Sequence, residues 1–179
     1  PLGRPAGAQR IFDLGAIQEE KLRLVGDKGY KKDSYDLHRQ YCTQFGDWTM
    51  PLEIAEADAV TKRNEICSAI LERLMKLDEN DLVFWETPTE DVAPNYRDVV
   101  SNPMSFSVIS TKVKSYSQQA NGLATMQNDL LLTFDNCAIY NGENSGSEFL
   151  EYTVSFLLQL PRIFADACIR AVSGQREEG

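Results

Sequence analysis

Apolar residues recur along most of the chain at three- and four-residue steps, and no stretch alternates apolar and polar over a strand's length. Val60, Cys67, Ile70, Leu71, Leu74 and Leu77 share one face and predict a helix. Asp58 or Thr61 opens it and Asp78-Glu79-Asn80-Asp81 closes it. Phe106, Ile109 and Val113 mark a short second helix, with Ser105 placed to cap its start. Residues 114–121, rich in Ser, Gln and Asn, read as a loop. Leu123, Met126, Leu130, Phe134, Cys137 and Ala138 predict a third helix from about Gly122 to Tyr140. A fourth begins near Ser145 or Ser147 and carries Leu150, Val154, Leu157 and Leu158 inward. Pro161 has no N–H to donate, so this helix ends near Leu160, or kinks and restarts through Ile163, Phe164 and Cys168. The expected fold is all-α, an antiparallel four-helix bundle with one long loop between its first two helices.

The bundle is assigned to residues 58–172, a tail to 173–179 and an N-terminal extension, helical or irregular, to 1–57. Pro1-Leu2-Gly3 reads as a remnant of protease cleavage. Ile11, Leu14 and Ile17 support a helical turn or two. Leu37, Tyr41 and Phe45 repeat every fourth residue and predict a short helix near 34–45, started by Ser34 and stopped by Gly46. This stripe packs on the bundle or, alternatively, docks a partner. Trp48, in the connecting loop that follows, is a candidate anchor.

The connection over residues 82–104 contains three prolines, and a loop of that length inside a compact domain is usually functional. Pro94 suits a first helical position, which predicts one turn of helix over Tyr96–Val100, ended by Pro103. Charge narrows the partners. A net charge of −9 argues against nucleic acid and suits a basic peptide, although solubility alone explains it as well. Four scattered cysteines and one histidine make no zinc spacing and fit a reducing compartment. No cofactor or metal is expected. No apolar run approaches the roughly 20 residues that span a bilayer, and no secretory signal is visible. Nor is an enzyme expected: there is no His-Glu-x-x-His, and Cys137 has no base beside it in sequence.

The central stretch is Asp135-Asn136-Cys137-Ala138-Ile139-Tyr140-Asn141-Gly142, where a helical run meets a Gly-bearing break. An amide at this junction either caps the last carbonyls of its own helix or is aimed at a ligand carbonyl. Pro94-x-Tyr96, then Pro103-Met104, then a helix, then Tyr140-Asn141 resembles the bromodomain, the acetyl-lysine reader. The likeness runs from about Asp58 to Ile169 and is that of a divergent member, in the manner of protozoan bromodomain factors. It implies that Asn141 donates to the acetyl oxygen and that the Tyr96 hydroxyl holds a structural water against the same atom. From Tyr96's residue type alone, a tyrosine packed over a loop turn is an equal reading.

By the same resemblance Trp85, Pro88 and Thr89 wall the pocket from the long loop, and Cys137 and Tyr140 line it from the helix. Thr89 stands where the family usually has valine, and Ser105 where aspartate commonly follows Pro-Met. The gatekeeper is Ser147 by an ungapped count from Asn141, or Phe149 if the break is two residues longer. Glu86, Glu90, Asp91, Glu143 and Glu148 are placed to rim the pocket and favour flanking Lys and Arg, or else are simply solvated. The implied partners are acetylated lysine peptides, histone tails first, and other subunits of a chromatin complex, in the nucleus. The competing reading is a helical interaction domain with a degenerate pocket, docking through residues 33–57.

Overall fold

The computed structural model describes residues 32–43, 56–142 and 148–173. Its α-helices are α1 (Lys32–Thr43), α2 (Ala59–Leu77), α3 (Tyr96–Val99), α4 (Phe106–Gln118), α5 (Gly122–Asn141) and α6 (Glu148–Ser173), with a 3₁₀ turn at Glu56–Asp58 before α2. Among the described residues there is no strand, so the all-α expectation holds. Two compact units share the chain. One combines the described part of residues 1–46 with Cys137–Arg162, and the other combines the described part of 47–136 with 163–173.

In the second unit, α2 and α4 pack along one another. Arg63, near the start of α2, donates through Nε to the Ser117 carbonyl at the end of α4, 2.7 Å away, so the two run antiparallel. The core face of α2 is Ile66, Cys67, Ile70, Leu71 and Leu74. Val60 does not join it: in the first turn it lies 47% exposed. Phe84, Phe106 and Phe134 form an aromatic cluster, with Phe84 edge-on to Phe134 at 5.0 Å and tilted against Phe106 at 5.8 Å. Such pairs stabilise beyond their buried area by about 0.5–1.5 kcal/mol.

The polar stretch expected to be loop from residue 114 is helical to Gln118. Tertiary partners override its composition. Tyr116 is fully buried, and its hydroxyl donates to Asp129 on α5, which also receives Lys112 Nζ. Burial first, then the Asp129 carboxylate, pushes the Tyr116 phenol well above its ordinary pKa. Ser117 spends its hydroxyl on the Val113 carbonyl at 2.7 Å. The turn into α5 needs glycine for space, because a Cβ on Gly122 would sit 1.7 Å from the Tyr116 carbonyl oxygen.

α6 runs through Pro161 without ending. The missing N–H costs about 3 kcal/mol, and the continued helix offsets it by burying Ile163, Phe164, Ala167, Cys168 and Ala171. In the first unit, Leu150, Val154, Phe156, Leu157 and Leu160 of α6 are buried, while Leu158 is half-buried. α1 spans 32–43 rather than 34–45, and its buried positions are Tyr35 and His38, whereas Leu37 is 39% exposed. Of the four-residue stripe, Leu37 thus lies outward, and the Tyr41 side chain lies outside the described residues. Phe45 and Trp48 lie outside the described residues.

Candidate functional site

The long loop of the second unit is fastened at both ends by backbone groups. Asp78 follows α2, and its buried carboxylate accepts from the Val83 and Phe84 amides at 2.9 and 2.8 Å. The chain reverses there with Leu82 left-handed at φ 52°, its amide donating to the Asp78 carbonyl at 2.8 Å. Two residues on, the Phe84 and Trp85 carbonyls accept from the Phe106 and Ser107 amides at 2.8 and 3.0 Å. These are two of the donors that the start of any helix leaves unpaired. The Ser105 hydroxyl takes a third, from Val108, at 3.3 Å, as its position before the helix predicts.

With the backbone held this way, Phe84 points into the aromatic core. Its neighbour Trp85 is half-buried and lines a groove of about 570 Å³ between α2 and α4, with Leu71, Met75 and Val113. Pro88 is half-buried and Thr89 exposed. The Thr89 carbonyl closes the next turn by accepting from the Val92 and Ala93 amides at 3.1 and 2.9 Å. Tyr96 opens α3 and is 5% exposed. Pro94 lies two residues before the first helical residue rather than at that position, because Asn95, left-handed at φ 60°, is the cap. Two acids expected at a rim are engaged locally. Glu86 accepts from the Ser107 hydroxyl, and Glu90 from the Asn95 amide, each at 2.6 Å.

In the first unit Asn141 is the last residue of α5 rather than the first beyond it. It is half-buried, and its Nδ2 donates to the Cys137 carbonyl at 2.9 Å, with Cys137 Sγ at 3.6 Å. One hydrogen of the amide thus caps its own helix, and Nδ2 carries a second. Thr153 of α6, fully buried, contacts Cys137 Sγ at 3.2 Å and donates to the Phe149 carbonyl at 2.6 Å. Tyr140 and Cys137 are half-buried, Phe149 is 49% exposed, and Glu148 is exposed. Ser147 and Glu143 lie outside the described residues. The contacts of Thr153 and Asp78 were not foreseen from the sequence. A hydroxyl flanking the apolar stripe of α6 was the only sign of the first, and a helix-ending acid the only sign of the second.

Other titratable groups offer little for catalysis. Burial, and then the neighbouring Cys168, pushes the Cys67 thiol up to about 12, and burial pushes Cys168 up to about 11. Both are therefore protonated at neutral pH and poor nucleophiles. Among the described residues no cluster of three or more His, Cys, Asp or Glu is placed to hold a metal ion, and no helix is long and apolar enough to cross a membrane.

Residues 67–149 match the bromodomain family model. Over that segment, somewhat under half of its length, the chain is similar to bromodomains, a family of acetyl-lysine readers. A bromodomain-containing protein of Dictyostelium discoideum is 28% identical over 97 residues, 54% of this chain and 5% of that protein. The SWR1 complex bromodomain subunit bdf1 of Schizosaccharomyces pombe is 34% identical over 79 residues, 42% of this chain and 13% of that protein. Human bromodomain adjacent to zinc finger domain protein 2B is 35% identical over 80 residues, 45% of this chain and 4% of that protein. The chain thus spans a small part of the curated relatives it matches. Among solved structures, a Trypanosoma cruzi bromodomain, BDF2, aligns over 64% of this chain and 92% of its own, with a TM-score of 0.47 and 22% identity.

Proposed function

We propose that this chain binds acetylated lysine on histone tails or other nuclear proteins, as the reading module of a chromatin-associated protein. The observation that carries this reading is Asn141. It stands at the last position of α5, one Nδ2 hydrogen on the Cys137 carbonyl and the other available for a ligand. An acetyl-lysine carbonyl oxygen accepts that second hydrogen. The family resemblance assigns Tyr96 a water-mediated contact to the same oxygen, and assigns Trp85, Pro88, Thr89, Tyr140 and Cys137 to the apolar surface for the methyl and stem. Phe149 or Ser147 guards the entrance.

Magnitudes favour discrimination over tight binding. Covering about 100 Å² of acetyl and stem stabilises by roughly 2–3 kcal/mol, and one buried hydrogen bond adds about 1. An unmodified ammonium in the same place loses several kcal/mol to desolvation and meets a donor instead of an acceptor. A net charge of −9 attracts basic tail segments without selecting among them.

The test is a titration of acetylated and unmodified histone-tail peptides followed by amide shifts. Selective perturbation of Asn141 and Tyr96 by acetylated peptides, lost in Asn141→Phe with the fold intact, is the expected result. Equal response to both peptide sets, or retained affinity in the folded variant, removes this assignment.

A further inference from the structure

We infer that Asn141 and Gly142 form a deamidation site, at which the chain loses its recognition amide unless a ligand holds it. The effect on binding rests on the reading of Asn141 as the acetyl-lysine donor; the chemistry does not. Asparagine followed by glycine is the pair in which a backbone nitrogen most easily reaches the side-chain amide carbon, because no Cβ blocks the approach. The chain contains two such pairs, Asn121-Gly122 and Asn141-Gly142, and the fold treats them differently. Gly122 opens α5, buried against the Tyr116 carbonyl, and its amide donates to the Gln119 carbonyl at 3.0 Å. The Asn121 carbonyl accepts from the Thr125 amide at 3.0 Å, so this pair reacts only if the start of α5 comes apart. Asn141, by contrast, is the last residue of α5, and both it and Gly142 are half-buried. Only the final turn, the part of a helix that frays most readily, has to open there. In the closed turn the bond from Nδ2 to the Cys137 carbonyl, at 2.9 Å, restrains the amide.

In the opened turn, hydroxide from solvent takes the Gly142 amide hydrogen, and the nitrogen attacks Asn141 Cγ. The new N–Cγ bond closes a succinimide ring, the Cγ–Nδ2 bond breaks, and Nδ2 leaves as ammonia with a proton returned by water. Water then opens the ring. Cleavage at Cγ leaves aspartate at position 141, and cleavage at the backbone carbonyl carbon leaves isoaspartate, with an added methylene in the main chain. The net change is one water consumed and one ammonia released. Either product carries a carboxylate that is ionised at neutral pH and can only accept. It has no hydrogen for the Cys137 carbonyl or for an acetyl oxygen. A bound acetyl oxygen, by taking the second Nδ2 hydrogen, keeps the amide in the closed turn, so the occupied chain converts more slowly than the empty one.

The test incubates the whole chain at mildly alkaline pH in four ways: alone, with a short blocked peptide carrying a central acetyl-lysine, with the same peptide unacetylated, and in urea. Ammonia release and peptide mapping by mass spectrometry follow conversion at each asparagine, reading Asn144, which lies outside the described residues, separately from Asn141. In urea the two Asn-Gly pairs should convert at similar rates. In the folded chain Asn141 should convert several-fold faster than Asn121. The acetylated peptide should slow Asn141 in proportion to its occupancy, and the unacetylated peptide should not. The fraction of chain that still binds the acetylated peptide should fall as the fraction converted at Asn141 rises. Gly142→Ala should keep both the amide and the binding through the same incubation.

Conversion at Asn141 that is no faster than at Asn121 in the folded chain, or that is undiminished by bound acetylated peptide, overturns the inference. So does conversion unchanged by Gly142→Ala. Should that variant fail to fold, the comparison of folded chain with urea decides: Asn141 protected as fully as Asn121 overturns it. If Asn141 converts as described while the acetylated peptide never binds, or binds the converted chain equally well, the acetyl-lysine reading falls and the modification site stands.

Discussion

The loop after α2 and the end of α5 both carry residues that the bromodomain resemblance marks, but each is made firm in a different way. The loop is tied by backbone. Val83 and Phe84 amides bond the Asp78 carboxylate, and Phe84 and Trp85 carbonyls cap α4. Beyond Asp78 and the buried Phe84, its course depends little on the exposed side chains it displays. The end of α5 is tied by side chains in series, Asn141 to Cys137 and Cys137 to Thr153. A scaffold of the first kind tolerates variation on its surface, which suits a loop that carries Thr89 where the family usually has valine. A scaffold of the second kind has less tolerance, because each contact is lost with the side chain that makes it.

Removing the loop's post should have the largest effect. Asp78→Ala strands two buried amides and is expected to cost about 3 kcal/mol, since hydrogen bonds to a charged group contribute roughly 1.5–3 kcal/mol each. Asp78→Asn keeps one acceptor oxygen and should cost about half as much. Denaturant unfolding measures both. Equal losses would mean that the shape of the side chain, and not its two acceptors, holds the loop.

Ser105→Ala is expected next, at about 1 kcal/mol. It removes only the third of the α4 amide partners, because loop carbonyls retain the other two. A loss as large as that of Asp78→Ala would show that loop and cap unfold together. Asn141→Ala should cost a similar 1 kcal/mol or less, the value of the Cys137 carbonyl bond. It should also remove acetyl-peptide binding, so folding and binding respond very differently at this position.

The helices were legible because each buries a stripe, and stripes survive in a linear sequence. Ile70, Leu74, Phe106, Ile109, Leu130 and Phe134 are buried as their spacing indicated. The misread segments are those in which a distant partner decides. Residues 114–118 look like loop until Asp129 and Arg63 reach them. Pro161 looks like a stop until the apolar surface beyond it is counted. Leu37 looks inward until Tyr35 and His38 take that face. Of the candidate site, Asn141 was visible through its place before Gly142. The contact between Thr153 and Cys137 beside it was not, since sixteen residues separate the two and only the fold brings them within 3.2 Å.

The smallest effect on folding should come from Phe149, and it separates the two kinds of scaffold most cleanly. Its ring is 49% exposed, so Phe149→Ala should change stability by no more than about 0.5 kcal/mol. Its carbonyl, which accepts the Thr153 hydroxyl, belongs to the backbone and survives the substitution. The Asn141 amide should accordingly keep its orientation and its resonances. Any loss of acetyl-peptide affinity then reports direct contact with the ring, expected at about 1–2 kcal/mol on buried-area grounds if Phe149 is the gatekeeper. Ser147→Ala should do little in that case. The reverse ranking of the two variants would make Ser147 the gate and leave Phe149 only its carbonyl bond from Thr153, a residue whose backbone matters and whose ring does not.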